Sequence, residues 1–493
     1  MTTLLRSPAI RAIEQAALAR GEDLMARAGL AAAGVAREML VDARRTPARV
    51  LVLAGPGNNG GDGFEVATHL RHWNFEVVVL CIADPARMPQ DARAAWQKWR
   101  SAGGACVTSL PAPAEFDLVI DAIFGIGLTR PVQAPYAGWI LAVNAVQVPV
   151  LALDLPSGLD ADTGSVHGVA LAATRCVTFI ADKPGLRTQH GPDLAGHITV
   201  ATLELRAEAP PGPEIGALLE PAHFAAALAP RTRNTHKGSF GALGIVGGAD
   251  GMAGAALLAG RAALKLGAGR VLVGFVGNGL AVDPLQPDLM LRAAAEVVAA
   301  PVDALVIGPG LGTSGTARTL LAQALALRCP LLLDADALNL IAQDAKLAAA
   351  LTRHAHGTVL TPHPLEAARL LGQDVQAVQR DRIAAAQALA RVHGADVVLK
   401  GAGSIVAASA GDWWINPTGN PGMATGGMGD VLSGLAGALL ARGVPCLAAV
   451  QCAVHLHGAA ADRLVGDGIG PAGLTAGETI DAARCLFNQW VRG

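Results

Sequence analysis

The sequence predicts an α/β chain of two doubly wound domains, each a mostly parallel sheet with helices on both faces. Three observations predict it. Apolar runs of strand length alternate with helical patterns, in two separate sets. Nearly every run ends in a glycine-rich or polar turn, where a parallel sheet gathers its ligands. The 493 residues are too many for one core, and a Pro-rich stretch at 207–214 divides the two sets. The boundaries read from it are 1–207, a linker over 208–219, and 220–493.

Composition narrows the function classes. Hydrophobic residues make up 52% and charged residues 16%, a globular balance. A formal net charge of −2 gives no reason to expect nucleic acid or an anionic membrane as partner. The longest apolar runs, such as Leu435 to Ala441, are too short to span a bilayer. Arg6, Arg11 and Glu14 interrupt the N-terminal segment, so no secretory signal is read there. Seven scattered cysteines with no C-x-x-C pair fit reduced thiols in a cytoplasm. Small-molecule substrates are therefore expected, and a homo-oligomeric state.

The first set opens with two helical segments over 8–40, around Gly21-Glu22-Asp23. Val50 to Ala54 is a strand that runs into the loop GPGNNGGDG, residues 55–63, and then a helix through Val66 and Leu70. Strand, glycine loop, helix is the arrangement of phosphate and dinucleotide sites. The spacing is neither G-x-G-x-x-G nor a P-loop. Strands at 77–82, 118–121 and 150–153 follow, the last two ending in Asp121 and Asp154-Leu155-Pro156-Ser157. A Rossmann-like three-layer sandwich would bring Asn58, Asn59, Asp62, Asp121, Asp154 and Ser157 to one crevice.

The second set has strands at 242–246, 271–275, 304–307, 331–333, 358–360 and 397–399. Its richest stretch is GNPGMATGGMGD, residues 419–430, followed by Val431, Leu432, Leu435 and Leu439 at helical spacing. A glycine run that opens a helix presents unpaired N–H groups to an anion. One carboxylate beside it, Asp430, suits phosphoryl transfer: amides hold the phosphates and the acid takes a proton from the attacking hydroxyl.

These turns resemble two families. GPGNNGGDG, DAIFGIGLTR and DLPSGLDADTG resemble the NAD(P)H-hydrate epimerases over most of 1–205. The resemblance implies that Asn58, Asn59, Gly60, Gly61 and Asp62 contact the nucleotide hydrate. It implies the same for Gly125, Ile126, Gly127, Leu128, Thr129, Arg130 and Pro131. It further implies a potassium ion on Asn59, Asp121 and Ser157, with Asp154 as substrate contact and acid/base. HKGSFG, GPGLG, DADALN, TPHPLE, KGAGS and GGMGD resemble the ADP/ATP-dependent NAD(P)H-hydrate dehydratases, a ribokinase-like branch, over about 215–493. That resemblance implies that Gly310, His363 and Asp430 face the hydrate. It implies that Lys400, Gly401, Ala402, Gly403, Ser404 and Gly429 hold the adenine nucleotide, with Mg²⁺ on its phosphates. Ser404 stands where the family usually has Thr, and keeps the hydroxyl. The function implied is repair of hydrated NADH and NADPH. The first domain would interconvert the R and S hydrates. The second would dehydrate the S form with ADP, giving NAD(P)H, AMP and phosphate. ADP is favoured over ATP because two-domain fusions of this type resemble bacterial proteins.

Each residue also has a plainer reading. Asp430, Asp121 and Asp154 could cap helices, and His363 or Lys400 could be ordinary surface groups. Asp334 and Asp336 are read as structural or metal-proximal, and His455 and His457 as structural. Two rival functions stand beside repair: a ribokinase-like vitamin-precursor kinase, and a first half that binds nucleotide without catalysis.

Overall fold

A computed structural model describes residues 2–41, 47–205 and 212–492. The chain divides into two compact units, Thr2–Gly216 and Ala217–Gly493. In the first, β1 (Thr3–Leu5) runs beside Asp182. The main strands follow: β2 (Arg49–Ala54), β3 (Glu76–Leu80), β4 (Cys106–Val107), β5 (Leu118–Ala122), β6 (Val150–Leu153), β7 (Arg175–Phe179) and β8 (His197–Ala201). They form a seven-stranded sheet in the order β4-β3-β2-β5-β6-β7-β8, parallel throughout. Both faces are covered, so the strands read as unbroken apolar runs. Along β2, Val50, Val52 and Ala54 enter one core while Leu51 and Leu53 enter the other.

The order reverses between β2 and β5, and a crevice opens where chains leave such a switch point in opposite directions. The structure corrects one local expectation here. The glycine run after β2 is not a loop: the helix Asn58–His72 already begins inside it. Four of its five glycines, Gly55, Gly60, Gly61 and Gly63, serve close packing, and none is left-handed. A Cβ on Gly60 would lie 2.0 Å from the Gly55 carbonyl oxygen, and one on Gly63 2.6 Å from the Ala122 Cβ. Four strands, β1, β4, β7 and β8, escaped the sequence reading.

In the second unit lie β9 (Ile215–Leu218), β10 (Ala242–Gly247), β11 (Arg270–Phe275), β12 (Met290–Ala293), β13 (Ala304–Ile307), β14 (Leu331–Leu333), β15 (Thr358–Leu360), β16 (Asp396–Leu399), β17 (Ile405–Ala407) and β18 (Trp413–Ile415). Their order is β9-β18-β17-β16-β15-β14-β13-β10-β11-β12. Strands β16, β17 and β18 turn antiparallel and the other pairs are parallel. The switch point falls between β10 and β13. The linker expected over 208–219 lies partly outside the described residues. In its described part, Ala217 and Leu218 of β9 pair with Trp414 and Ile415, so that part is strand. Four apolar-leaning residues behind a run of prolines and glycines were hidden by the composition around them.

The helix Met428–Ala441 is buried along nearly its whole length and packs on Ala253–Lys265. The approach is set by Gly434, whose added Cβ would lie 2.1 Å from the Ala259 carbonyl oxygen. Gly434→Ala is expected to lower stability by about 1–3 kcal/mol, read as a lower urea midpoint. An unchanged midpoint would mean the two helices have room to part.

Candidate active sites

In the first unit, Asp121 ends β5 and is fully buried. Its carboxylate accepts from the Ser157 hydroxyl at 2.6 Å and the Ser157 N–H at 2.7 Å. Burial raises its pKa to about 6, against the pull of the Ser157 hydrogen bonds. Asn59 is buried nearby, and neither its amide oxygen nor its nitrogen meets a partner among the described residues. An orphaned buried amide calls for a ligand. A Cβ on Gly125 would stand 2.8 Å from Asp154 Oδ2 and 3.5 Å from Asn59 Cγ. Asn59 and Asp154 therefore border one space that a glycine keeps open.

Asp154 follows β6 with φ of 66°, a left-handed conformation that a non-glycine residue seldom holds. Its Oδ2 accepts from the Ile126 N–H at 3.2 Å, and its Oδ1 lies 2.8 Å from Lys183 Nζ. Lys183 is 1% exposed. It also donates to the Thr178 hydroxyl at 2.6 Å and the Phe179 carbonyl at 3.1 Å. The sequence reading missed Lys183. Its signal was present, since Ala181-Asp182-Lys183-Pro184-Gly185 is another polar turn after a strand. Glu14 and Asp62 complete the group. Burial and the charge of Asp154 push both carboxyls up, Asp62 well above its ordinary range.

The other expected residues of this unit divide. Gly60 and Gly61 are buried in the helix start, while Asn58 is exposed. Together Asn58, Asp62 and Glu14 line a cavity of about 540 Å³. Ile126 spends its N–H on Asp154. Leu128 is half-buried, and Gly127, Thr129, Arg130 and Pro131 are exposed on the loop that follows β5.

In the second unit the strand ends converge as expected. Lys400, after β16, places Nζ 2.8 Å from Asp334 Oδ1, at the end of β14. The Ser433 hydroxyl donates to Asp334 Oδ2 at 2.8 Å. Gly427 caps the helix Met428–Ala441 with φ of 90°, and the turn lays Gly429 against this pair. A Cβ on Gly429 would be 3.3 Å from Lys400 Nζ. Asp430 stands in the first helical turn. Burial raises its carboxyl to about 7, with Asp334 and Asp336 adding and Lys400 opposing. That value suits a base working near neutrality. Lys400 is itself raised: burial would lower it, but Asp334 and Glu366 outweigh burial.

His363 is the N-cap of the helix Pro364–Leu371. Its Nδ1 accepts from the N–H groups of Leu365 and Glu366 at 3.1 and 3.3 Å. The ring proton therefore sits on Nε2, 3.2 Å from Glu366 Oε1. Burial and Lys400 hold the imidazole below its ordinary pKa, hence neutral at pH 7. Gly310 takes φ of 57° between β13 and the Gly248-Ala249 turn, and its carbonyl accepts from Ala249 at 2.7 Å. Asp336 accepts from the Gly312 N–H at 2.8 Å, which bends the same loop.

The 401–404 turn is tied internally by Ser404, whose hydroxyl donates to the Gly401 carbonyl at 3.0 Å and accepts its N–H at 3.2 Å. Beneath it lies Arg382, 2% exposed, which donates to the carbonyls of Ala402 and Leu399. Gly403, with φ of 58°, completes the bend. No sequence signal marked Arg382, which reads as one charge on a helix. His455 and His457 are buried, and burial lowers each to about 4. His455 packs on Phe224 and Trp490, away from the crevice residues.

Among the described residues no helix is long and apolar enough to cross a membrane. Residues 243–476 match the family model described as NAD(P)H-hydrate dehydratase, and residues 21–185 that described as YjeF-related protein N-terminus. The chain is 38% identical to the bifunctional NAD(P)H-hydrate repair enzyme of Coxiella burnetii, over 99% of this chain and 100% of that one. It is likewise 38% identical to that of Escherichia coli, over 95% and 90%. A crystal structure of a ribokinase-like superfamily protein from Enterococcus faecalis covers 56% of this chain and 96% of its own, at 26% identity and a TM-score of 0.50. The second unit has the ribokinase-like fold.

The raised Asp430 carboxyl has a consequence for stability. From an ordinary 3.8 it moves to about 7 in the fold. Between those values the folded chain holds a proton that the unfolded chain has lost, so stability falls as pH rises through this window. Above pH 7 the buried charge is a full cost to the fold; below about 4 it is none. Asp430→Asn should therefore melt higher than the parent at pH 8. The difference should shrink as pH falls from 7 to 4, and its absence at pH 8 would mean the carboxylate is well solvated.

Proposed function

The chain belongs to the family of bifunctional NAD(P)H-hydrate repair enzymes, and we propose that its two units divide the repair between them. The first interconverts the R and S hydrates, and the second dehydrates the S hydrate with ADP to NAD(P)H, AMP and phosphate. The relatives' names favour repair over a vitamin-precursor kinase. Seven cysteines without disulfides fit a reducing cytoplasm.

The observation that carries the dehydratase reading is the turn at Gly429, which sets Asp430 beside Lys400 and Asp334 at the mouth of a helix. Hydroxide is a poor leaving group and phosphate a good one. Asp430 takes the proton of the ring hydroxyl as that oxygen bonds to the terminal phosphorus of ADP, and AMP departs. The carbon–oxygen bond then breaks, pushed by the ring nitrogen. Phosphate leaves, and loss of a proton from the adjacent carbon restores the dihydropyridine. Lys400 and the N–H groups at the start of the helix meet the phosphate charge. Neutral His363 and Gly310 border the hydrate. No group of three or more His, Cys, Asp or Glu among the described residues could hold a metal. Magnesium would arrive on the nucleotide's phosphates, where it neutralises their charge.

In the first unit, Asp154 serves as the acid/base that assists interconversion of the epimers at the hydroxylated ring carbon, and Lys183 holds it aimed. The unpaired Asn59 amide with Asp121 and Ser157 offers oxygen donors alone, which fits potassium. That ion would supply positive charge next to the substrate.

Two measurements test this. With hydrated NADH, Mg²⁺ and either ADP or ATP, the parent should regain dihydronicotinamide absorbance, with kcat/KM falling as pH drops below about 7. Asp430→Ala should lose that turnover while still binding nucleotide; a near-normal rate would remove Asp430 from the role. In the second measurement, Asp154→Asn should leave S hydrate consumption intact and reduce R hydrate consumption to its spontaneous rate. Undiminished use of R would assign the epimerisation elsewhere.

A further inference from the structure

At the opposite end of the second unit's sheet from the crevice lies a cleft of about 740 Å³. It forms where β11 begins and where the helices Ala253–Lys265, Met428–Ala441 and Ala476–Arg492 end. The helix Met428–Ala441 separates Asp430 from this cleft by its whole length, about 20 Å at 1.5 Å per residue. Six cations line it, Arg231, Lys265, Arg270, Arg442, Arg484 and Arg492, against one carboxylate, Asp288. The chain as a whole carries −2, so this is a local concentration.

Helix ends explain part of it. A cation in a last turn answers the negative end of the helix dipole. Lys265, Arg442 and Arg492 sit at such ends, and Lys265 is also paired with Asp481 at 3.0 Å. Arg231, Arg270 and Arg484 have no such reason to be there. Asp288 is engaged by the Gln286 amide at 2.6 Å. Arg231 donates to the Gly267 carbonyl at 2.7 Å and lies 3.9 Å over the Phe240 ring. Arg442 lies 5.5 Å over Phe487, and its Nη1 is buried without a partner among the described residues. Burial lowers both guanidinium pKa values, and the charge of Arg231 lowers Arg442 further. Two neighbouring guanidinium groups that repel each other cost the fold free energy that an anion would offset.

We propose that this cleft binds a small polyphosphate anion. Guanidinium forks match phosphate oxygens. The volume suits a compact ligand, since such pockets run to about 300–1,000 Å³. A monoanion would leave most of the charge unmet.

The test is calorimetric titration of inorganic triphosphate into the full chain without divalent cation. Lys400→Gln separates this cleft from the catalytic crevice. Triphosphate should still bind Lys400→Gln, in which the crevice is disabled, and more weakly as salt rises. When Arg484→Gln and Arg492→Gln, both exposed positions, are added on that background, the remaining affinity should fall at least about tenfold. Arg270→Gln, also exposed, is the single-change arm on the same background should that variant not fold, and should weaken binding in the same direction. Competition by ATP in Lys400→Gln would identify a nucleotide as the ligand, and its failure an inorganic polyphosphate. No binding, undiminished binding in the arginine variants, or loss confined to Lys400→Gln would each overturn the assignment.

Discussion

Lys400 Nζ lies 2.8 Å from Asp334, and much of the second unit's chemistry depends on that contact. A parallel sheet delivers every strand's outgoing polar turn to one edge, so carboxylates accumulate there. Asp334, Asp336, Glu366 and Asp430 would repel one another without a cation among them. Burial, with Asp334 and Asp336 adding and Lys400 opposing, raises the Asp430 carboxyl to about 7, while Asp334 is held by Lys400 and Ser433. The first unit repeats the device with Lys183 and Asp154, amid Asp62, Glu14 and Asp121. In both, an amine comes from the turn after one strand and its carboxylate from the turn after another. The pair therefore exists only once the sheet has formed.

Much of this was legible in the sequence, and the reason is local. Strands buried on both faces announce themselves as apolar runs, and their ends as polar turns; Asp121, Asp154, Lys400 and Asp430 were found that way. What was not legible required partners distant in the chain. Lys183 gains meaning only when β7 lies beside β6, and β7 went unread because Arg175 to Phe179 is neither long nor uniformly apolar. Arg382 supports the 401–404 turn from a helix that no local pattern ties to it. The helix start at Asn58 was masked because a run rich in glycine reads as a turn, whereas these glycines are demanded by neighbours in space.

The sheet's antiparallel end, β16 through β18, also has a use. It brings the chain back beside Lys400 with a hairpin, so Ser404 precedes β17 and Asn416 follows β18 at the same edge. Asn416 N–H donates to the Ser404 carbonyl at 2.9 Å. The turn that ends at Ser404 is thereby joined to the stretch that leads into Gly427.

The tight seat of Gly434 on the Ala259 carbonyl bears on what can move during turnover. A helix lodged against a neighbour's backbone cannot slide along it by a fraction of a turn, so Asp430 is fixed in place, as an anvil is. Reacting atoms must be carried to it.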